Sequence, residues 1–311
     1  MEAPRIDLKT EIRKRYGTVR RAYDYHLYTA KGVRLLDLYQ EAGEAILGWR
    51  AGRSKLVLKS LLDRGVTGTF PTETEGELEL AVREVLPQYE TVRWYSSIDR
   101  ARHACASWLG LWSDIPVIES PLLHPEASLD IGPGGDSPLS AAKDVHGIPL
   151  WRPWLDEAYY SMQDRLDSAF LHNVNDTLDT MILRSPFPFA SGCTLAVFTG
   201  EGTEGREPQE SDPVSPALLG ALARAWSDLA SALFERTESE WSRFDRYIDP
   251  WWDRRGPYLI PKMRKARYPE FFVSCLDKGI LVSPDYNVPS IIPFLADEGE
   301  FKVLGNKAAK H

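Results

Sequence analysis

Strand-period and helix-period signals alternate along the 311 residues, and this alternation predicts an α/β core with a smaller α+β part. The chain is long enough for one large fold or two modest domains, and it can bury roughly 75% of its unfolded surface without staples. It shows no internal period and no low-complexity tract, so solenoids and arrays are excluded.

Taken in order, residues 53–63 followed by Gly65 predict a short helix with a glycine stop, and residues 66–71 an extended link. Leu78, Ala81, Val82, Val85 and Leu86 recur at helical spacing, with Thr74 and Glu77 placed as a capping box and Pro87 ending the run. Residues 92–95 predict a strand. Behind it, Ile98, Ala101, Cys105, Trp108 and Trp112 fall on one helical face. Regularity is lost over 113–149, where 130–138 is rich in glycine and proline. Leu155, Tyr159, Met162, Leu166 and Phe170 resume a helical stripe, and 193–198 reads as a buried strand. Residues 199–213 are expected to form an exposed, mobile loop. Ser215 and Pro216 then start a helix whose stripe is Leu219, Leu222, Trp226, Leu229 and Leu233. Near the end, 271–275 and 280–282 flank Asp277, Lys278 and Gly279 as two strands, or as a helix end and a strand.

Charge and composition exclude several functions. With 37 Lys and Arg against 45 Asp and Glu, a net charge of −8 argues against broad binding to nucleic acid or an anionic membrane. Apolar runs are short and the first residues are charged, so neither a membrane span nor a secretory signal is expected. Cys105, Cys193 and Cys275 are far apart, as reduced thiols of a cytoplasmic protein would be. The six histidines have no ligand spacing, so no metal site is expected. There is no Gly-x-Ser-x-Gly elbow and no dinucleotide fingerprint, and the glycines at 132–135 resemble an anion cradle in composition only. Trp151 with Trp154, and Trp251 with Trp252, lie near Asp156, Glu157 and Asp253. Such rings and carboxylates could line a sugar-processing cleft or could fill core volume.

Four segments in order carry a resemblance. They are 28–38 (Tyr-Thr-Ala-Lys-Gly-Val-Arg-Leu-Leu-Asp-Leu), 45–48 (Ala-Ile-Leu-Gly), 68–73 (Gly-Thr-Phe-Pro-Thr-Glu) running on to the Val-Arg-Trp-Tyr-Ser-Ser-Ile-Asp-Arg-Ala of 92–101, and 278–284 (Lys-Gly-Ile-Leu-Val-Ser-Pro). Together they resemble class III aminotransferases of the glutamate-1-semialdehyde aminotransferase kind, in truncated and degenerate form. The resemblance implies a pyridoxal-phosphate-dependent transferase fold of type I. It would have a reduced, mostly parallel large-domain sheet and a small α+β domain built from both chain ends. The implied boundaries are 1–65 and 214–311 for the small domain and 66–213 for the large one. A homodimer is also implied.

In that family a lysine forms the Schiff base, an aspartate pairs with the pyridinium nitrogen, and a Ser-Gly-Thr turn holds the phosphate at a helix N-terminus. By the resemblance Ser97 falls on the serine, Ile98 on the glycine and Asp99 on the threonine. Asp156 falls on the pyridinium aspartate and Arg184 on the lysine. Arginine cannot form the imine, and a carboxylate at Asp99 would repel a phosphate unless Arg184 paired with it. These departures imply a pseudoenzyme with a binding or assembly role, no catalytic residue, no bound cofactor and a partner of unknown kind. Two alternatives stay open. One is an active transaminase or aminomutase using pyridoxal phosphate and a lysine elsewhere, such as Lys143, Lys262 or Lys265. The other is the sugar-processing enzyme.

Overall fold

The computed structural model describes residues 6–111, 115–119, 147–155, 179–189, 192–200, 202 and 205–305. The first half runs α1 (Leu8–Tyr16), β1 (Val19–Tyr23), β2 (His26–Thr29), β3 (Arg34–Asp37), α2 (Ser54–Asp63), α3 (Thr74–Val85), β4 (Thr91–Tyr95) and α4 (Ile98–Leu109). Next come β5 (Val117–Glu119), β6 (Ile148–Trp151), β7 (Thr180–Arg184), β8 (Thr194–Phe198) and the long α5 (Pro216–Glu235). The remainder is α6 (Ser239–Ser242), α7 (Asp245–Ile248), β9 (Trp252–Arg255), β10 (Tyr258–Pro261), α8 (Tyr268–Asp277), β11 (Ile280–Leu281), β12 (Ser290–Ile291) and α9 (Glu298–Gly305).

These elements form two compact units. One comprises Met1–Gly52, Pro186–Pro188 and Ala232–His311, and the other Arg53–Ser185 and Phe189–Ser231. The joints at 52/53 and 231/232 differ from the expected 65/66 and 213/214. Packing explains the shift, because Leu61 of α2 and Thr74 of α3 lie against Gly220 of α5, which places α2 and most of α5 with the second unit.

In the first unit the sheet order is β1-β2-β3-β11. β1, β2 and β3 pair antiparallel in turn, and β11 adds parallel to β3 with Ile280 opposite Leu36 and Leu281 opposite Asp37. Residues 271–275 lie within α8, and Gly279 at φ +82° makes the sharp turn from that helix into β11. A second sheet, β12-β10-β9, stands beside Phe244 and Phe301, whose rings are 4.5 Å apart, and the buried Trp252, Tyr258 and Phe272.

After β3 the chain makes an unusual left-handed turn, Gln40–Gly43, in which Gln40, Glu41 and Ala42 take φ values of 48°, 48° and 57°. Non-glycine residues seldom adopt this conformation because Cβ crowds the carbonyl oxygen. The buried Asp37 carboxylate holds the turn by accepting from the Tyr39 and Gln40 N–H groups at 2.9 Å each and from the Trp49 indole at 2.7 Å.

The second unit is built on the sheet β4-β8-β7-β6-β5. β5, β6 and β7 are parallel, and β8 runs antiparallel to both β7 and β4, so four of the five strands share one direction. One face, carrying Tyr95, Ile148, Leu150, Ile182, Ala196 and Phe198, buries against Ala101, Ala104, Cys105 and Trp108 of α4. The other face meets α5, where Trp226 stacks on Trp151 at 5.6 Å.

Several sequence expectations change. Thr74 is the first residue of α3 rather than its cap, and its hydroxyl pairs with that of Thr72 at 2.7 Å, so no capping box forms. α5 is the one described helix long and apolar enough to cross a membrane, although no such run was expected; 67% of its most apolar window is buried, as in a core helix. Of the four tryptophans weighed for a sugar cleft, Trp151 and Trp252 are buried, which takes their faces away from it, whereas Trp154 and Trp251 are half-buried. The expected loop at 130–138 and the stripe beyond Leu155 lie outside the described residues.

Candidate functional site

In open α/β sheets, ligands gather at the C-terminal ends of the parallel strands, where side chains from several strands converge. In the second unit that edge carries Tyr95 and Ser96 at the end of β4, Glu119 at the end of β5, Arg152 after β6, and Arg184 and Ser185 at the end of β7. Because β8 runs the other way, it contributes its start. Thr194 lies between Tyr95 and Arg184 in one row across the sheet. Side chains alternate along a strand, so Arg184 projects on the same face as Ile182, the α4 face. Ser185 is buried, and its hydroxyl has no hydrogen-bond partner.

Arg152 leaves the sheet beside Arg184, since Leu150 pairs with Ile182 and Trp151 with Leu183. Its guanidinium donates two bonds to the Glu119 carboxylate, Nε to Oε2 at 2.9 Å and Nη2 to Oε1 at 2.7 Å. The Arg152 side chain is only 2% exposed, and such a desolvated fork-to-fork pair fixes the ends of β5 and β6 against each other.

At the edge strand β4 a second charged group forms. Ser97 is the N-cap of α4 and accepts from the Arg100 N–H at 3.2 Å, so this hydroxyl is spent on the helix. One residue earlier, Ser96 donates both its N–H (2.9 Å) and its hydroxyl (2.6 Å) to Oδ2 of Asp212, while Arg100 Nη2 reaches Oδ1 at 2.9 Å. Chiefly the Arg100 guanidinium, helped by Ser96, holds the Asp212 carboxyl at about 2.

Asp212 belongs to a strap that lies along β4. Asp212 N–H donates to Trp94 O at 2.9 Å, Trp94 N–H to Ser211 Oγ at 3.2 Å, and the Tyr95 hydroxyl to Gln209 O at 2.9 Å. Residues 209–212 are therefore pinned, and Pro208 is buried, where a mobile loop was expected. The strap covers the donors and acceptors that an edge strand would otherwise expose.

The resemblance put the repelling carboxylate at Asp99. In the structure Asp99 is 80% exposed and faces Arg102 at 3.4 Å, and the carboxylate at the mouth of α4 is Asp212. Ser97 and Arg184 both belong to the strand-end edge, whereas Asp156 lies outside the described residues. Of the three lysines weighed, Lys143 also lies outside them; Lys262 is tied to Asp249 O at 2.8 Å and faces Asp253 at 3.3 Å, and Lys265 is exposed. Among the described residues of the second unit the lysines are Lys55 and Lys59, both exposed on α2. No group of three or more His, Cys, Asp or Glu residues capable of holding a metal occurs among the described residues. Burial pushes the Cys105 and Cys193 thiols up to about 12, so neither is a nucleophile at neutral pH.

Sequence reasoning missed Glu119, Arg152, Ser185 and Asp212. A charged residue closing an apolar run was the available signal for Arg152, but nothing local marked Asp212, whose partners are 112 to 116 residues away.

No protein-family model matches the chain. Among solved structures it is similar to an omega-transaminase from Sphaerobacter thermophilus, with a TM-score of 0.59 and 14% identity over 92% of this chain and 88% of that one. It is also similar to an ornithine aminotransferase from Plasmodium yoelii, with a TM-score of 0.61 and 11% identity over 95% and 96% of the two chains. An acetylornithine aminotransferase from Elizabethkingia anophelis matches with a TM-score of 0.56 and 13% identity over 95% and 97%. The fold is therefore that of the aminotransferases. In sequence, an uncharacterized protein of Borreliella burgdorferi is 20% identical over 283 residues, covering 91% of this chain and 86% of its own. With 30% identity over 295 residues, 92% of each chain, this protein belongs to the same family as an uncharacterized protein of Treponema pallidum.

Proposed function

We propose that this chain is an aminotransferase-fold pseudoenzyme: a cytoplasmic homodimer that does no pyridoxal-phosphate chemistry and acts through binding or assembly. The observation that carries the reading is the end of β7, where Arg184 and the buried Ser185 stand and a Schiff-base enzyme needs a lysine. A guanidinium stays protonated and delocalised, and a serine hydroxyl has no nitrogen with which to form an imine. One further position supports it. At the mouth of α4, Asp212 places a fixed negative charge where a phosphate would have to sit. The residues at these two positions do not fit pyridoxal phosphate, whereas Asp156, which the resemblance sets on the pyridinium aspartate, lies outside the described residues.

The test is to incubate the protein with excess pyridoxal phosphate, reduce with borohydride, and map modified lysines by mass spectrometry beside a visible absorbance scan. Native mass measured on the same sample reads the oligomer. The expected result is a dimer with no aldimine band and no stoichiometric label. A full-occupancy band with one labelled lysine overturns the reading in favour of an active transaminase or aminomutase. In the second unit Lys143 is then the lysine to examine first, because Lys55 and Lys59 are exposed on α2.

A further inference from the structure

In the first unit β1 is the end strand of its sheet, and its outward edge pairs with no other described strand. The register sets Ala22, Leu27 and Leu35 on one face, where both leucines are buried, and Arg21, Tyr23, His26, Tyr28 and Arg34 on the other. On that outer face Arg21 lies over the Tyr23 ring at 4.5 Å and the Tyr28 ring at 5.5 Å. Arg50 lies over Tyr23 at 4.8 Å and donates to its hydroxyl at 2.7 Å. Ring stacking holds both guanidiniums in place while the two side chains stay exposed. Glu300 meets His26 and Arg34 at 2.8 Å each, but Arg20, Arg21 and Arg50 form no ion pair among the described residues. Charge is uneven along the chain: residues 1–34 hold nine Lys and Arg against four Asp and Glu, in a protein of net charge −8.

We propose that the open edge and outer face of β1 dock an acidic, extended segment of another protein, which joins the sheet as a strand beside β1. A free strand edge offers alternating backbone N–H and C=O groups, and a polypeptide strand is the partner that completes both. Charge then selects among polypeptides. Pairing β1 with β1 of a second copy would set Arg20 and Arg21 against the same arginines, whereas an acidic strand meets them with opposite charge. The bulge between Val19 and Arg21 breaks the ladder at one end and leaves Arg21, Ala22 and Tyr23 in regular register with β2 as the part a new strand can extend. Nucleic acid is the other partner that rings and arginines attract, but here Tyr23 is already stacked by two guanidiniums and Tyr28 by one. The face belongs wholly to the first unit, and the inference does not depend on whether the second unit does chemistry.

The experiment titrates the full chain with a fluorescein-labelled peptide of alternating glutamate and valine, at low salt and at about 0.15 M salt. It reads anisotropy and the amide resonances of residues 19–23. The peptide is expected to bind, more weakly at the higher salt, with the amides of 21–23 shifting on addition. Arg21→Gln combined with Arg50→Gln is expected to weaken binding about tenfold. N-methylating the peptide along one strand edge keeps its charge and removes its strand pairing, and is expected to weaken binding by about the same factor. No binding at about 1 mM peptide, or binding indifferent to the double variant or to N-methylation, overturns the proposal. Tighter binding of an oligouridylate or of phosphatidylserine-rich vesicles, lost in the same variant, also overturns it, in favour of that partner. If the double variant does not fold, Arg20→Glu, at an exposed position outside the ring stack, replaces it and the same outcomes decide. These titrations contain no aldehyde, so their failure is separate from any result of the borohydride experiment.

Discussion

Replacing Asp37 with asparagine is expected to change stability in opposite directions at low and high pH. Asp37 is 1% exposed, and burial, helped by the nearby Glu41 charge, outweighs its three N–H donors and pushes its carboxyl up from 3.8 to about 6. A carboxyl raised in the folded state favours folding when protonated. Its contribution is fully present below pH 3.8 and is lost as the pH rises through 6. The gap between the two values corresponds to about 3 kcal/mol, of which about half is already lost at pH 5. Asparagine removes this dependence. Its carbonyl still accepts from Tyr39 and Gln40, but its amide faces the Trp49 N–H donor to donor, which costs about 1.5 kcal/mol. The variant should therefore be more stable than wild type by about 1.5 kcal/mol at pH 8, equal to it near pH 5, and less stable by about 1 kcal/mol at pH 4. Urea unfolding at each pH, with hydrogen exchange of a peptide spanning 35–51, measures this. A destabilisation of constant size across the range would refute the reasoning.

Two other perturbations address packing and thiol chemistry. A Cβ at Gly220 would lie 2.5 Å from Leu61 Cδ1 and 3.1 Å from Thr74 Cγ2. Gly220→Ala should be near neutral, because the tip of Leu61 can swing aside and alanine favours the helix, whereas Gly220→Val should cost about 1 to 3 kcal/mol in urea unfolding. Equal midpoints for the two variants would contradict the contact. Burial pushes Cys105, Cys193 and Cys275 up to about 12, so a thiol reagent at pH 8 should leave the native chain unlabelled and modify all three in urea. Rapid labelling of the native protein would show that these thiols are not enclosed.

What could be read in the sequence was local. Leu78, Ala81 and Val82 repeat at helical spacing and are buried on α3, and Leu219, Leu222, Trp226 and Leu229 do the same on α5. A stripe of this kind encodes which face meets a core whatever the core is made of. β6 escaped detection because Pro149 sits inside it, and a proline argues against an interior strand, yet β6 lies between β5 and β7. The left-handed turn at Gln40–Gly43 was equally hidden, since its three non-glycine positive-φ residues, Gln40, Glu41 and Ala42, all ordinarily favour a right-handed helix. For the candidate site, motif order located Ser97 and Arg184 at the strand ends. The charges that define the site electrostatically, Arg152 with Glu119 and Arg100 with Asp212, are made by tertiary contacts, and no spacing rule reaches across them.

The antiparallel strand β8 also bears on how the molecule is made. It lies between β4 and β7, so the sheet of the second unit cannot close until residues 194–198 have left the ribosome, and before then two strand edges are open. In the first unit Leu36 must likewise wait for Ile280. Both pairings join segments far apart in sequence, and loop closure comes before the contacts that reward it, so each sheet is completed only when its later strand has been made. During that interval the apolar runs of β7 and β8, fully covered in the finished protein, face solvent beside unpaired backbone. Open strand edges beside exposed apolar runs are the condition under which a partly made chain is prone to aggregate, and here it is built into the strand order.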